Sequence, residues 1–188
     1  MSNRKSGCFA NLLGTVIVVA LVCVIGYAGY KTYQKLPVVT FISGLAQAAA
    51  DMDTDKLSAC FTPDSDVRKA LDAANTLEGV PILGNLAQDA ASFIGSGYNY
   101  QLDYSDIHMT VNENAGKAVL AVLDKDNNDQ KSYLTLDLEK IDNQWYATQL
   151  PSVQTAAETH LSYSNIFQGY AERASDYLAL AIFSFENK

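Results

Sequence analysis

The chain has 188 residues, 48% hydrophobic and 18% charged, with a mean hydropathy of −0.02. This composition excludes a disordered tail, a collagen and a multi-span membrane protein. The net charge of −8 is unevenly spread: the first 35 residues hold Arg4, Lys5, Lys31 and Lys35 and no acid, and all 21 acidic residues follow. Clustered Lys and Arg are what phosphate binding needs, so the acidic part argues against nucleic acid and against an anionic membrane surface as its partner.

From Ser6 to Tyr30 there is no charge, and Leu12 to Gly26 reads LLGTVIVVALVCVIG. An apolar run of this length is expected to cross a bilayer, entering the membrane over residues 9–30. Tyr27, Tyr30 and Tyr33 follow at helical spacing, as interfacial aromatics do, and Lys31 and Lys35 can snorkel at that end. An uncleaved signal anchor is the leading reading. A cleaved signal peptide stays open, with Gly26-Tyr27-Ala28 as its small-residue site. The orientation expected is N-terminus in the cytoplasm and domain outside. Residues 1–35 are read as tail and anchor, 36–151 as the folded domain, and 152–188 as a C-terminal extension.

Pro37 is expected to open a new helix, with an apolar stripe of Val38, Phe41, Ile42, Leu45, Ala46 and Ala49. Asp51 to Asp55 breaks it, and Asp53 or Thr54 caps a short helix over Lys56 to Phe61. Pro63 stops that helix, and Asp64, Ser65 and Asp66 cap another over Val67 to Leu77. After the break at Glu78-Gly79-Val80-Pro81, residues Ile82, Leu83, Leu86, Ala90, Phe93 and Ile94 predict a further amphipathic helix, ended by Gly95-Ser96-Gly97.

The period then changes to two. Tyr98, Tyr100, Leu102 and Tyr104 alternate with polar residues, but from Ile107 the apolar set is Ile107, Met109 and Val111. The change of parity predicts a β-bulge near Ser105-Asp106. A turn at residues 112–116, a strand over Lys117 to Leu123, a polar loop over Asp124 to Gln130, a strand around Ser132 to Leu138, a turn at Asp142-Asn143 and a last strand from Gln144 to Leu150 complete an antiparallel meander. The tail is read as mostly helical, with Ala171, Ala174, Tyr177, Leu178 and Ala181 on one face. The expected fold class is α+β: a transmembrane helix, then helices on a curved four-stranded antiparallel sheet.

The first helix, the segment DMDTDKLSACFTPDS and the closing strand KIDNQWYATQLP make the region from Pro37 to Pro151 resemble the nuclear-transport-factor-2-like, or cystatin-like, superfamily. The resemblance is to membrane-anchored bacterial domains of unknown function, and it implies a cone between sheet and helices in which ligands or substrates are held.

No catalytic motif is found. Asp51, Asp53 and Asp55 begin like a calcium loop, but Lys56 and Thr62 stand where Gly and Glu are required. The loop at Asp124 fails the same test. His108 and His160 are the two histidines, and no Cys or His pair has metal-ligand spacing. No cofactor and no metal are expected. Cys60, among apolar residues, reads as a small buried hydrophobe. Tyr98, Tyr100 and Tyr104 with Trp145 are the candidate ligand or partner face, although a plain core is the leading reading of the same residues. Asp103 is expected to point away from the tyrosines. Asp106 and His108 are expected to face outward and be wet.

The function expected is a membrane-anchored, extracytoplasmic domain of the cell envelope that binds a small ligand or another envelope protein, without enzymatic activity. A pocket enzyme on the same fold and a structural envelope component are the alternatives. An exposed apolar face on the C-terminal tail favours the last.

Overall fold

The computed structural model describes residues 5–51, 53–76, 100–124, 130–154 and 166–187. The amphipathic helix expected over Ile82 to Ile94, Tyr98, the loop at 125–129 and His160 lie outside the described residues.

Helix α1 (Lys5–Ala50) runs for 46 residues, roughly 70 Å at the usual rise. Pro37 was expected to start a helix, yet it lies inside this one. Proline removes one i→i−4 bond, here to the carbonyl of Tyr33. Pro37 is on the exposed side of the helix and Tyr33 is itself exposed, so water is at hand for the freed carbonyl. Val38, Val39, Ile42, Leu45, Ala48 and Ala49 then bury one face of α1. Among the described residues no helix is long and apolar enough to cross a membrane. The side chains of the expected span up to Ile17 are not among those described.

Helix α2 (Thr54–Ala59) is capped by Asp53, whose Oδ1 accepts from the Lys56 N–H at 3.0 Å. Helix α3 (Asp66–Thr76) starts at Ser65, whose hydroxyl accepts from the Arg68 N–H at 3.2 Å. Both caps satisfy amides that a helix start otherwise leaves orphaned.

The sheet is formed by β1 (Tyr100–Val111), β2 (Ala115–Asp124), β3 (Gln130–Ile141), β4 (Gln144–Ala147) and β5 (Ser152–Gln154). The order is β1-β2-β3-β4, all antiparallel, with β5 also pairing β3. The bulge lies where the parity change placed it: Asp103 pairs with Ala121 and Ile107 with Leu120, so residues 104–106 are extra. Asp142 and Asn143 both have positive φ, 49° and 67°, as a two-residue hairpin turn that follows the strand twist requires.

Among the described residues the expected four strands become five. The closing strand stops at Ala147, and the chain crosses Pro151 to pair Ser152–Gln154 with Tyr133–Thr135. Strand β3 has 12 residues against four in β4, so most of its far edge stays open until β5 covers part of it. The core lies between the sheet and α1 to α3, and includes Ile107, Met109, Val111, Ala118, Leu120, Leu136, Leu138 and Trp145 with Leu57, Phe61 and Leu71. Strand β2 is also buried on its other face, at Val119 and Ala121, as its unbroken apolar run implied.

The last helix, α4 (Ile166–Glu186), runs through the Ile182–Phe185 stretch that also read as extended. It packs on α1 and on the β1 edge. Its orientation corrects the sequence reading. Of the expected apolar face only Ala171 is buried, and Ala174, Tyr177, Leu178 and Ala181 are exposed. The buried side carries Glu172, Ser175 and Asp176 beside Ala179.

Candidate functional site

Two polar clusters flank strand β1, one inside the domain and one on the outer sheet face. The inner cluster is centred on Lys35. It was expected to reach toward water at the membrane end, but its side chain is fully buried. Its Nζ donates to Asp176 Oδ1 at 2.7 Å, to the Ser175 hydroxyl at 2.8 Å and to the Glu172 carbonyl at 3.0 Å, and lies 2.6 Å from Glu172 Oε2. One turn earlier, Lys31 lies 3.6 Å from Glu172 Oε1 and donates to the Val111 carbonyl at 3.0 Å. The Tyr27 hydroxyl donates to Glu172 Oε1 at 3.1 Å.

The pairs Lys31–Glu172 and Lys35–Asp176 step by four on both helices, so α1 and α4 run parallel. The same cluster closes the sheet edge. Val111 and Met109 turn their backbone groups away from β2: Lys31 takes the Val111 carbonyl, and the Asp176 carboxylate takes the Met109 amide. An open edge would otherwise offer these groups to another chain.

Burial pushes the Asp176 carboxyl up to about 6, and the nearby Glu172 charge adds to this. The charge and hydrogen bond of Lys35 and the Met109 amide oppose the shift without cancelling it. The folded carboxyl therefore holds its proton more tightly than the unfolded one, whose ordinary value is 3.8. Its contribution to stability is complete below pH 3.8 and is lost as the pH rises through about 6. The size of this pH-dependent part is on the order of 2–3 kcal/mol. Thermal unfolding of Asp176→Asn should show a flatter stability profile between pH 4 and 6 than the native chain. Identical slopes would rule out Asp176 as the titrating group.

The outer cluster is assembled by the bulge. The extra residues bring Asp103 and Asp106, which have opposite parity in the sequence, to one Lys131, at 3.0 and 3.1 Å. Asp106 Oδ2 also accepts from the Tyr133 hydroxyl at 3.2 Å, and Oδ1 lies 3.0 Å from His108 Nε2. Arg173 of α4 contacts the His108 ring and lies 4.0 Å from Asp106 Oδ1. Burial raises the Asp106 carboxyl, but hydrogen bonds from Lys131, His108 and Tyr133, with the Lys131 charge, hold it below the usual carboxylate range.

Asp106 and His108 lie off the Ile107–Met109–Val111 face, as expected, but they are not fully wet. Each side chain is 22% exposed, because α4 swings Arg173 over the strand edge. A carboxylate, an imidazole and a phenol within hydrogen-bond reach are groups that can move protons. Here the guanidinium lies against the imidazole.

Of the candidate tyrosine face, Tyr98 lies outside the described residues. For Tyr100 and Tyr104 only the backbone is described, with Tyr100 opposite Asp124 in the register and Tyr104 in the bulge. Trp145 is 6% exposed and belongs to the core. Between sheet and helices, a cavity of about 10 Å³ is lined by Val39, Ile42, Ile107, Met109, Leu180 and Phe183. That is room for about one water molecule, in a wall that is apolar except for Ser43. Cys60 is half-buried, and burial raises its thiol, which fits an inert side chain.

Sequence reasoning missed Lys35, Glu172, Arg173 and Asp176. A signal existed: acids at i and i+4 in an otherwise small or apolar helix, with lysines at the same spacing at the end of the apolar run.

No protein-family model matches the chain, and no curated protein matches it. Among solved structures, a variant of a function-unknown protein from Mycobacterium tuberculosis is similar over 78% of this chain and 88% of its own, at 13% identity and a TM-score of 0.40. A nuclear-transport-factor-2-like protein of unknown function from Shewanella oneidensis is similar over 60% of this chain and 92% of its own, at 18% identity and a TM-score of 0.37.

Proposed function

We propose that the chain is a membrane-tethered, extracytoplasmic binding domain of the cell envelope, built on the nuclear-transport-factor-2-like plan and joined to the bilayer by α1. The observation that carries this reading is the continuity of α1. The same helix contains the uncharged run and, further on, a face of the domain core. Val18, Val19, Leu21, Val22, Val24 and Ile25 are all exposed along it. A helix that is apolar on all sides requires an apolar surrounding. Tyr27, Tyr30 and Tyr33 are exposed just beyond, beside Lys31, where an interfacial belt would sit.

Partner binding fits better than small-molecule binding. The described interior is filled by apolar side chains, Phe61 and Trp145 among them, whereas the exposed surface of α4 is apolar and open to a second chain. That feature also agrees with a structural envelope role, which differs from binding only in the permanence of the contact.

The test is topology in intact bacterial cells expressing the full chain. Alkaline carbonate should leave it in the membrane fraction. External protease should remove the domain and leave an anchor fragment. Release by carbonate would overturn the tether, and a domain protected until the membrane is broken would overturn the orientation.

A further inference from the structure

Helix α4 is built inside out. It has four charged residues. Glu172 and Asp176 are buried against α1, and Arg173 is directed to Asp106 and His108. Glu186, in the last turn, is the one acid left on the exposed side, and the Arg173 side chain is 37% exposed. The solvent face carries Tyr170 at 74%, Tyr177 at 49%, Leu178 at 48%, Ile182 at 38% and Phe185 at 76% exposure. Between them, Tyr170, Ala174, Tyr177, Ala181 and Ser184 are all exposed and recur at steps of four, three, four and three. That spacing makes one gently slanting seam along the helix, two tyrosines among small residues, as two helices that pack side by side use.

We infer that this seam is a homodimer interface, in which α4 of one copy packs in parallel on α4 of a second copy about a two-fold axis along the helices. Three observations select a second copy as the occupant. First, α4 is parallel to α1. The inference rests on the proposed tether only here: copies anchored by α1 share one orientation, and a two-fold axis along the membrane normal then sets their α4 helices parallel. A self-complementary surface on a parallel helix is what such an axis demands. Second, the area is sufficient. The exposed parts of the five large side chains come to roughly 600 Å² per copy, so a pair could bury up to about 1,200 Å², at the lower edge of the range of stable interfaces. Third, no acidic side chain lies in the seam in a chain of net charge −8, and the one charge beside it is the Arg173 guanidinium, 5.8 Å from the Tyr177 ring centroid. The acids that would repel a second acidic copy are the ones turned inward to Lys35.

The full chain in detergent should have the mass of a dimer by light scattering after correction for bound detergent. Ala174→Glu with Ala181→Glu should be monomeric and still fold cooperatively, with a thermal midpoint that no longer depends on protein concentration, since both positions are exposed and Glu is a good helix former. If that variant does not fold, cross-linking decides. In a chain with Cys8, Cys23 and Cys60 replaced by Ser or Ala, Ala181→Cys should form a disulfide-linked dimer in membranes, and Lys117→Cys, on the sheet, should not. A monomeric native chain would overturn the inference, whether the seam is then covered by lipid or by the 82–94 segment of the same chain. So would a dimer untouched by the two glutamates, or equal cross-linking at both cysteines. A chain that is dimeric but found in the soluble fraction would refute the tether and leave the interface standing.

Discussion

Trp145→Ala should lower the stability of the domain by about 3–5 kcal/mol, the usual cost of truncating a buried Trp. Trp145 lies in β4, only four residues long, yet it is 6% exposed. Its ring lies over Gly116, close enough that a Cβ there would sit 3.5 Å from Cζ3, and Lys140 places its ammonium 5.9 Å from the ring centroid. The strand it anchors does more than extend the sheet. Ala147 forms a parallel bridge to Phe61, donating to the Cys60 carbonyl at 2.9 Å and accepting from the Thr62 amide at 3.0 Å. The indole thus holds the strand that ties the end of α2 to the sheet. Loss of the ring leaves a cavity between β2, β4 and the helices, and short β4 has few other contacts to hold it. Urea unfolding followed by circular dichroism should show the midpoint fall, with little change in slope. Trp145→Phe should recover part of the loss. An unchanged midpoint in Trp145→Ala would show that the ring is not part of the core.

The elements that follow from local periodicity were legible in the sequence. The switch from Tyr100 and Leu102 to Ile107, Met109 and Val111 located the bulge, because a strand cannot change its buried parity without an extra residue. Asp53 and Ser65 announced their helices because caps are local chemistry. What stayed hidden depends on contacts far apart in the chain. Pro37 reads as a helix start, and only the packing on both sides of it makes α1 continuous. Three residues at Ser152–Gln154 carry no period, so β5 exists only because β3 is long enough to receive it. Helix α4 was misread in orientation because the sequence rule turns apolar residues inward. The rule failed because Lys31 and Lys35, about 140 residues earlier, supply partners for Glu172 and Asp176. The polar clusters were hidden for the same reason: Asp106, His108, Lys131 and Arg173 come from three elements and meet only through the bulge and the α4 packing.

Lys35→Met should be the most damaging single change on α1, costing about 3–5 kcal/mol at neutral pH. The methionine fills similar volume, so the loss is electrostatic. Glu172 and Asp176, 2% and 1% exposed, would be left facing each other without the ammonium between them. Lys31 cannot replace it. It is 3.6 Å from Glu172 and already donates to Val111. The pH dependence separates this account from simple loss of packing. Near pH 5, Asp176 is already largely protonated in the native chain, given its value of about 6. Removing Lys35 then strands less charge, and the penalty should be smaller at pH 5 than at pH 8. A compensated variant makes the same point. Lys35→Met with Glu172→Gln and Asp176→Leu removes the cation and both acids together, and should be more stable than Lys35→Met alone, because buried ion pairs replaced by apolar groups of similar size are often neutral. It should still lose the closure of the β1 edge, since Leu cannot accept from the Met109 amide. Hydrogen exchange at Met109 should therefore speed up in this triple variant even where global stability is recovered. A Lys35→Met chain as stable as the native one, or one whose loss is the same at both pH values, would show that the cluster does not hold α4 to α1 by charge.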